Sequence, residues 1–116
     1  MRLTQNTIQI SLRSNKLGGY TLDLKMRNIT TIMNISDFIK CTDIDSFIIS
    51  FNYLKSLEDI LLEFKNLNSF DISVNHLKEI KNLEAFRKLE HLNLSTNRIT
   101  KIENLDKLKS LTYLVS

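Results

Sequence analysis

The chain is 116 residues long, the size of one domain, and its 42% hydrophobic and 25% charged residues are too apolar for disorder and ordinary for a folded soluble protein. Two glycines, Gly18 and Gly19, and no proline exclude collagen-like, proline-rich and flexible-linker classes and leave no glycine-rich phosphate loop. A net charge of +3 is too mild to argue for nucleic acid, and the single Cys41 forbids an internal disulfide.

With no basic-apolar start and no long apolar run, neither a signal peptide nor a membrane span is expected, which points to an intracellular protein, cytoplasmic or nuclear. Residues 1–19 read as an N-terminal cap. One reading is a helix: Thr4 caps it, Leu3 and Ile8 form a hydrophobic staple, Leu12 continues that face, and Gly18 stops it. The rival is a strand or hairpin, because Ile8, Ile10 and Leu12 alternate and Ile10-x-Leu12-x-x-Asn15-x-Leu17 mimics half of the repeat that follows. Ile10 lies only 12 residues before Leu22, too close for a full coil.

From residue 20 onward the chain repeats itself. Leu89, Leu92, Leu94, Asn97, Ile99, Ile102, Leu105 and Leu108 follow LxxLxLxxNxIxxIxxLxxL, and 22 positions earlier the same slots hold Leu67, Phe70, Ile72, Asn75, Leu77, Ile80, Leu83 and Phe86. Leu111 and Leu114 begin a further copy. Ile44, Phe47, Ile49, Asn52, Leu54 and Leu57 sit 23 before their counterparts, with the extra residue somewhere in 58–66. Leu22, Leu24, Ile29 and Ile32 sit 25 before theirs, with Arg27 in the asparagine slot.

This spacing has a physical reading. The LxL segment is a short strand with alternate side chains inward. The asparagine stands where the chain leaves the strand, and its amide can serve backbone groups there that no apolar side chain can, so Asn52, Asn75 and Asn97 are expected to form a structural ladder. The threefold spacing of IxxIxxLxxL suits a helical or 3₁₀ return arc. One coil cannot bury its own apolar edge; stacked coils bury it against each other.

LxxLxLxxNxI at a 22-residue period resembles the leucine-rich repeat family over about residues 20–116. The segments IKNLEAFRKLEHLNLSTNRI (80–99) and IENLDKLKSLTYL (102–114) are similar to the short-repeat class found in the phosphatase 1 regulatory subunit, the spliceosomal A-prime protein, and axonemal and centriolar proteins. The opening RLT resembles the N-terminal cap of the spliceosomal and ciliary members. The implied fold is α/β: a right-handed leucine-rich repeat solenoid of about four and a half to five repeats, short parallel strands inside and 3₁₀ or helical arcs outside. No C-terminal cap follows Leu114-Val115-Ser116, so a shortened chain is expected, with association through the uncapped edge as the alternative.

On the concave side, the row preceding the first inward residue of each LxL pair holds Thr21, Ser46, Ser69, His91 and Tyr113. The row inside the pair holds Asp23, Ile48, Asp71, Asn93 and Val115, and the next Lys25, Ser50, Ser73 and Ser95. Asp23, an exposed Ile48, Asp71, His91, Asn93 and Tyr113 are the candidate partner contacts, with Tyr113 the best anchor by residue type. Phe51 and Val74 are either exposed apolar contacts or tucked over the turn, packing being the leading expectation.

Little chemistry is expected. His76, His91 and Cys41 fall on different coils and faces, so no metal set and no cofactor follow. Ser69, His91 and Asp71 are neighbours, but a flat open sheet offers neither oxyanion site nor water exclusion, so the chain is read as not an enzyme. The basic residues after position 76 are interspersed with Glu79, Glu84, Glu90, Glu103 and Asp106 and lack aromatic interleaving, so RNA is expected only indirectly if at all. The leading expectation is a protein-binding scaffold, possible roles being spliceosomal or axonemal and centriolar. The alternatives are a phosphatase regulatory module, for which four to five coils are short, and an RNA-associated subunit using its basic late arcs.

Overall fold

The computed structural model describes residues 3–16 and 18–116, the Ile10 side chain excepted. The half-repeat reading on Ile10 and Leu17, and the arginine of the RLT opening, lie outside the described residues.

Thr4 opens the helix α1, Gln5–Ser11: its Oγ1 accepts a hydrogen bond from the Thr7 amide at 3.2 Å. Leu3 and Ile8 lie beside each other in sequence spacing at 2% and 1% exposure, closing the helix onto the core. The helix ends at Ser11, not at Gly18, because Leu12 turns extended (φ −102, ψ 126) and starts the strand β1, Leu12–Ser14. Gly18, at φ +90, instead belongs to the bend that leads into β2, Tyr20–Asp23. Beside it, a Cβ on Gly19 would collide with the Asp45 carboxylate, which also accepts from the Asn15 side-chain amide. Helix and hairpin therefore follow one another, and each of the two sequence readings describes half of the cap.

The strands β3 (Ile44–Ile48), β4 (Ser69–Asp71), β5 (His91–Asn93) and β6 (Tyr113–Val115) complete a six-stranded sheet in sequence order. β1 pairs antiparallel to β2, with Leu12 opposite Leu22; every later pair is parallel. Phe47 aligns with Phe70, Phe70 with Leu92 and Leu92 with Leu114, so the leucine slots of successive copies meet side by side. Short 3₁₀ segments at Ile35–Asp37, Cys41–Asp43 and Asp59–Glu63 carry the earlier return arcs. The later arcs are turns held by three-residue hydrogen bonds such as Phe86 N to Leu83 O and Leu108 N to Leu105 O.

The core lies between strands and arcs. Phe64, Phe47, Phe70 and Phe86 run through it as a chain of ring contacts with centroids 5.1, 5.5 and 5.5 Å apart. Aromatic pairs of this kind add roughly 1 kcal/mol each beyond the burial of their area. Phe64 and the buried Leu61 occupy the arc that carries the extra residue of its copy. At β6 the core is open among the described residues: Leu114 is 39% and Ile102 52% exposed.

The amides of three asparagines tie the coils together. Asn75 Nδ2 donates to the carbonyls of Ile72 and Ser73 in its own turn and of Ile49 in the preceding coil, while its Oδ1 accepts from Leu54 N at 3.0 Å. Asn52 makes the same set towards Leu24, Ile49, Ser50 and Ile29, and Asn97 towards Ile72, Leu94, Ser95 and Leu77. A second ladder runs along the outer arcs: Asn82 donates to Leu57 O and Asn104 to Ile80 O, both at 2.6 Å, from left-handed backbone at φ 63 and 59. Glu58 serves the earlier arc, accepting from Ile32 N and Thr31 Oγ1.

Leaving a buried amide or carbonyl without a partner costs about 1–3 kcal/mol. Asn75→Ala orphans several such groups at once, so it is expected to lower stability by about 3 kcal/mol, and Asn97→Ala, beside the open end, by less. Urea unfolding midpoints at unchanged slope measure both.

Candidate functional site

Because the strands are parallel and in register, the side chains between the inward positions line up across the sheet. One row runs Thr21, Ser46, Ser69, His91, Tyr113 and the other Asp23, Ile48, Asp71, Asn93, Val115. The antiparallel β1 extends the first row by one residue, placing Arg13 opposite Thr21. Sequence reading missed Arg13, since only the hairpin pairing brings it to this face.

The polar members of the second row are partly engaged in holding their own strands. Asp71 Oδ1 accepts from Ser73 N at 3.0 Å and Ser73 Oγ at 2.7 Å, and Asn93 Oδ1 does the same for Ser95. Asp23 accepts from Lys25 N and lies 3.5 Å from the Lys25 ammonium. These are Asx turns that end the strands, so the carboxylates of Asp23 and Asp71 face solvent with part of their acceptor capacity already used.

Three expectations about this region need correction. Ile48 is half-buried rather than exposed, flanked by neighbouring strands on both sides. Ser50 and Ser73 are buried, at 5% and 7%, because the chain there is already turning into the asparagine floor, so the third row is open only towards its ends, at Lys25 and in part at Ser95. Phe51 does not pack over the turn; it is 55% exposed. At the far end of the first row the rings of His91 and Tyr113 lie 5.9 Å apart, tilted by 57°, with Tyr113 60% exposed.

Among the described residues no hydrogen bond joins Ser69, His91 and Asp71, and no three His, Cys, Asp or Glu side chains are arranged to share a metal ion. Asp71 is committed to Ser73 rather than to an imidazole. The geometry of a nucleophile activated by a neighbouring base is not assembled there.

A second concave feature lies along the edge where the chain leaves the strands. Phe51, Val74 and Thr96 precede the three asparagines and Tyr53, His76 and Arg98 follow them; together they wall a groove of about 430 Å³ floored by Asn52, Asn75 and Asn97. The His76 ring packs edge-on to Tyr53 at 5.7 Å and 81°. Met26, Phe51, Val74 and Thr96 all have left-handed backbone, φ 56, 57, 53 and 54. For non-glycine residues, β-branched ones above all, such a conformation costs of order 1–3 kcal/mol and persists only where its surroundings enforce it. At Phe51, Val74 and Thr96 the hydrogen bonds of the following asparagine hold the turn, and at Met26 the amides of Met26 and Arg27 donate to Ser50 O and Asn52 Oδ1 of the next coil; the same twist turns each side chain out of the core.

Cys41 is buried beneath the first arc, and burial, reinforced by the charge of Glu63, pushes its thiol up from 9.0 to about 11. The folded state thus favours the protonated thiol more than the unfolded chain does. Cys41 is expected to resist a disulfide reagent such as DTNB at pH 8 and to react when the chain is unfolded. Its contribution to stability fades as pH climbs from 9.0 towards 11, which denaturant titrations across that range measure.

The chain's place among known proteins follows its geometry. Residues 65–107 match the family model for leucine rich repeats, two copies. No curated protein matches the sequence. Among solved structures, the Drosophila melanogaster SNF/U2A′ complex superposes with a TM-score of 0.77 at 23% identity, covering 98% of this chain and 67% of that one. Internalin C2 from Listeria monocytogenes gives 0.71 at 22%, covering 80% of this chain, and the leucine-rich repeat domain of APL1B gives 0.68 at 25%, covering 79%. The chain spans only 39% and 29% of the lengths of the latter two.

Proposed function

We propose that this leucine-rich repeat solenoid is a non-enzymatic scaffold that holds a folded protein partner against its concave sheet face. The observation that carries the reading is the register-aligned row from Arg13 to Tyr113, left open to solvent and ending in the tilted His91–Tyr113 pair. A large exposed aromatic on a rigid strand is a good anchor, since it buries much area while losing little rotamer freedom. Asp23, Ile48, Asp71 and Asn93 would border it with mixed polarity.

Of the pathway readings, we favour a spliceosomal A-prime type of role over the axonemal, centriolar or phosphatase-regulating ones. What supports it is the superposition on the SNF/U2A′ complex, which spans nearly the whole of this chain. The proposal places the protein inside the cell, in cytoplasm or nucleus, where a lone thiol in the core stays reduced.

Affinity capture of the intact protein, with mass spectrometry of what is retained, tests this against two exposed variants, His91→Glu and Tyr113→Ala. Recovery of a splicing protein by the parent, falling at least about tenfold with either variant at unchanged thermal stability, supports the reading. Retention of the partner by both variants removes the concave face from it. A partner lost after ribonuclease treatment, or steeply between about 50 and about 200 mM salt, selects the RNA-associated alternative instead.

A further inference from the structure

The groove on the asparagine edge is separate from the concave sheet face, and its composition is not accounted for by the fold. Most donors of its floor are engaged. The amides of Asn52, Asn75 and Asn97 are engaged between coils, and the backbone amides of Phe51, Tyr53, Val74, His76 and Arg98 all donate to carbonyls of the protein. Few open amides are left on which a ligand could add a strand or rest an anion. What the groove mainly offers is apolar contact and side-chain charge.

Both are present. Phe51 and Tyr53 are 55% and 49% exposed, and Met26, next in the row before Phe51, is 71% exposed. The left-handed backbone at Met26, Phe51, Val74 and Thr96 would be met most easily by glycine or asparagine, so large apolar side chains at three of these positions are not what the turn itself calls for. Arg98 lines the groove, and Lys55 and Lys78 stand two positions after Tyr53 and His76 in their coils; all three are exposed and without an ion pair among the described residues. Segments 50–57, 72–78 and 94–102 contain no carboxylate.

Aromatic rings beside cations also suit single-stranded nucleic acid, but stacking a base needs an open ring face. Here the His76 ring packs against Tyr53, and the rings wall a trough rather than forming a platform. A trough of about 430 Å³ falls in the range that seats side chains of a ligand. We propose that this edge binds a short acidic segment of a partner protein. A bulky apolar side chain of that segment sits between Phe51, Tyr53, Val74 and His76, and carboxylates on either side of it pair with Lys55, Lys78 and Arg98. Affinity from so few contacts is modest and falls with salt.

The test is a two-dimensional amide NMR titration of the intact protein with a capped hexapeptide, two glutamates on each side of a Leu-Phe pair. Saturable shifts of the amides in 51–55, 74–78 and 96–98 are expected, with little change along the row from Thr21 to Tyr113. Phe51→Asn puts a residue that tolerates left-handed backbone where phenylalanine stands, so it keeps the fold while removing one wall; Arg98→Glu alters only an exposed charge. Each is expected to weaken binding about tenfold or more. The proposal is overturned if no saturable shift appears at millimolar peptide, if the shifts map to the concave rows, or if a lysine-flanked version of the peptide binds equally well. It is also overturned if an oligouridylate of similar length moves these amides and the acidic peptide does not.

Discussion

The structure depends on what happens where the chain leaves each strand. A parallel sheet of strands three to five residues long cannot hold itself: its backbone groups at the strand ends have no partners within the coil, and its apolar edge has nothing of its own to lean on. An asparagine amide at Asn52, Asn75 and Asn97, buried at the first two, resolves both problems. Its Nδ2 closes the turn it belongs to and reaches one coil back, and its Oδ1 accepts an amide from that same coil. The leucine and phenylalanine slots are thereby set side by side at fixed register, and the Phe64–Phe47–Phe70–Phe86 chain of rings follows from that alignment rather than causing it.

The same turn shapes the surface. The residue at the turn, before each asparagine and before Arg27 in the first coil, takes left-handed backbone, which swings that side chain away from the core. The sheet face and the asparagine edge are thus two consequences of one geometry. The face displays alternate strand residues; the edge displays the residues on either side of the amide. Their compositions differ accordingly. Small polar groups tied into Asx turns occupy much of the sheet face, with Tyr113 at its end, whereas Phe51, Tyr53 and Arg98 stand along the edge.

What could be read from the sequence follows the same division. The parallel strands, their register and the rows they display were legible because they depend on spacing alone, and leucine-type slots recurring at 22 positions leave few other ways to stack. The outer ladder was not, although Asn82 and Asn104 also recur at 22, because the apolar threefold spacing of the arcs dominates the pattern around them. Nor was the outward turn of Phe51: a dihedral sign has no signature in a run of residue types when the residue is neither glycine nor asparagine. The cap was ambiguous for a further reason. Ile8 and Leu12 serve a helix and a strand equally well in the alphabet, and the decision between them came from β2, whose free edge pairs with Leu12–Ser14 and takes those residues out of the helix.

The cap shows how non-local pairing alters a surface that spacing would leave untouched. Without β1 the first row would begin at the hydroxyl of Thr21; with it, a guanidinium stands at that end. The row then runs from Arg13, through small hydroxyls at Thr21, Ser46 and Ser69, to the imidazole and phenol of His91 and Tyr113. Such a gradient gives the face a direction. A partner able to bury an aromatic contact at one end and place a carboxylate at the other fits in one orientation, and reversing it would set a charge against the tyrosine ring and an apolar group against arginine. Discrimination of this kind comes from the cost of the wrong pairing as much as from the gain of the right one. The hairpin that seals the first coil therefore also contributes to how a partner would be aligned on the sheet.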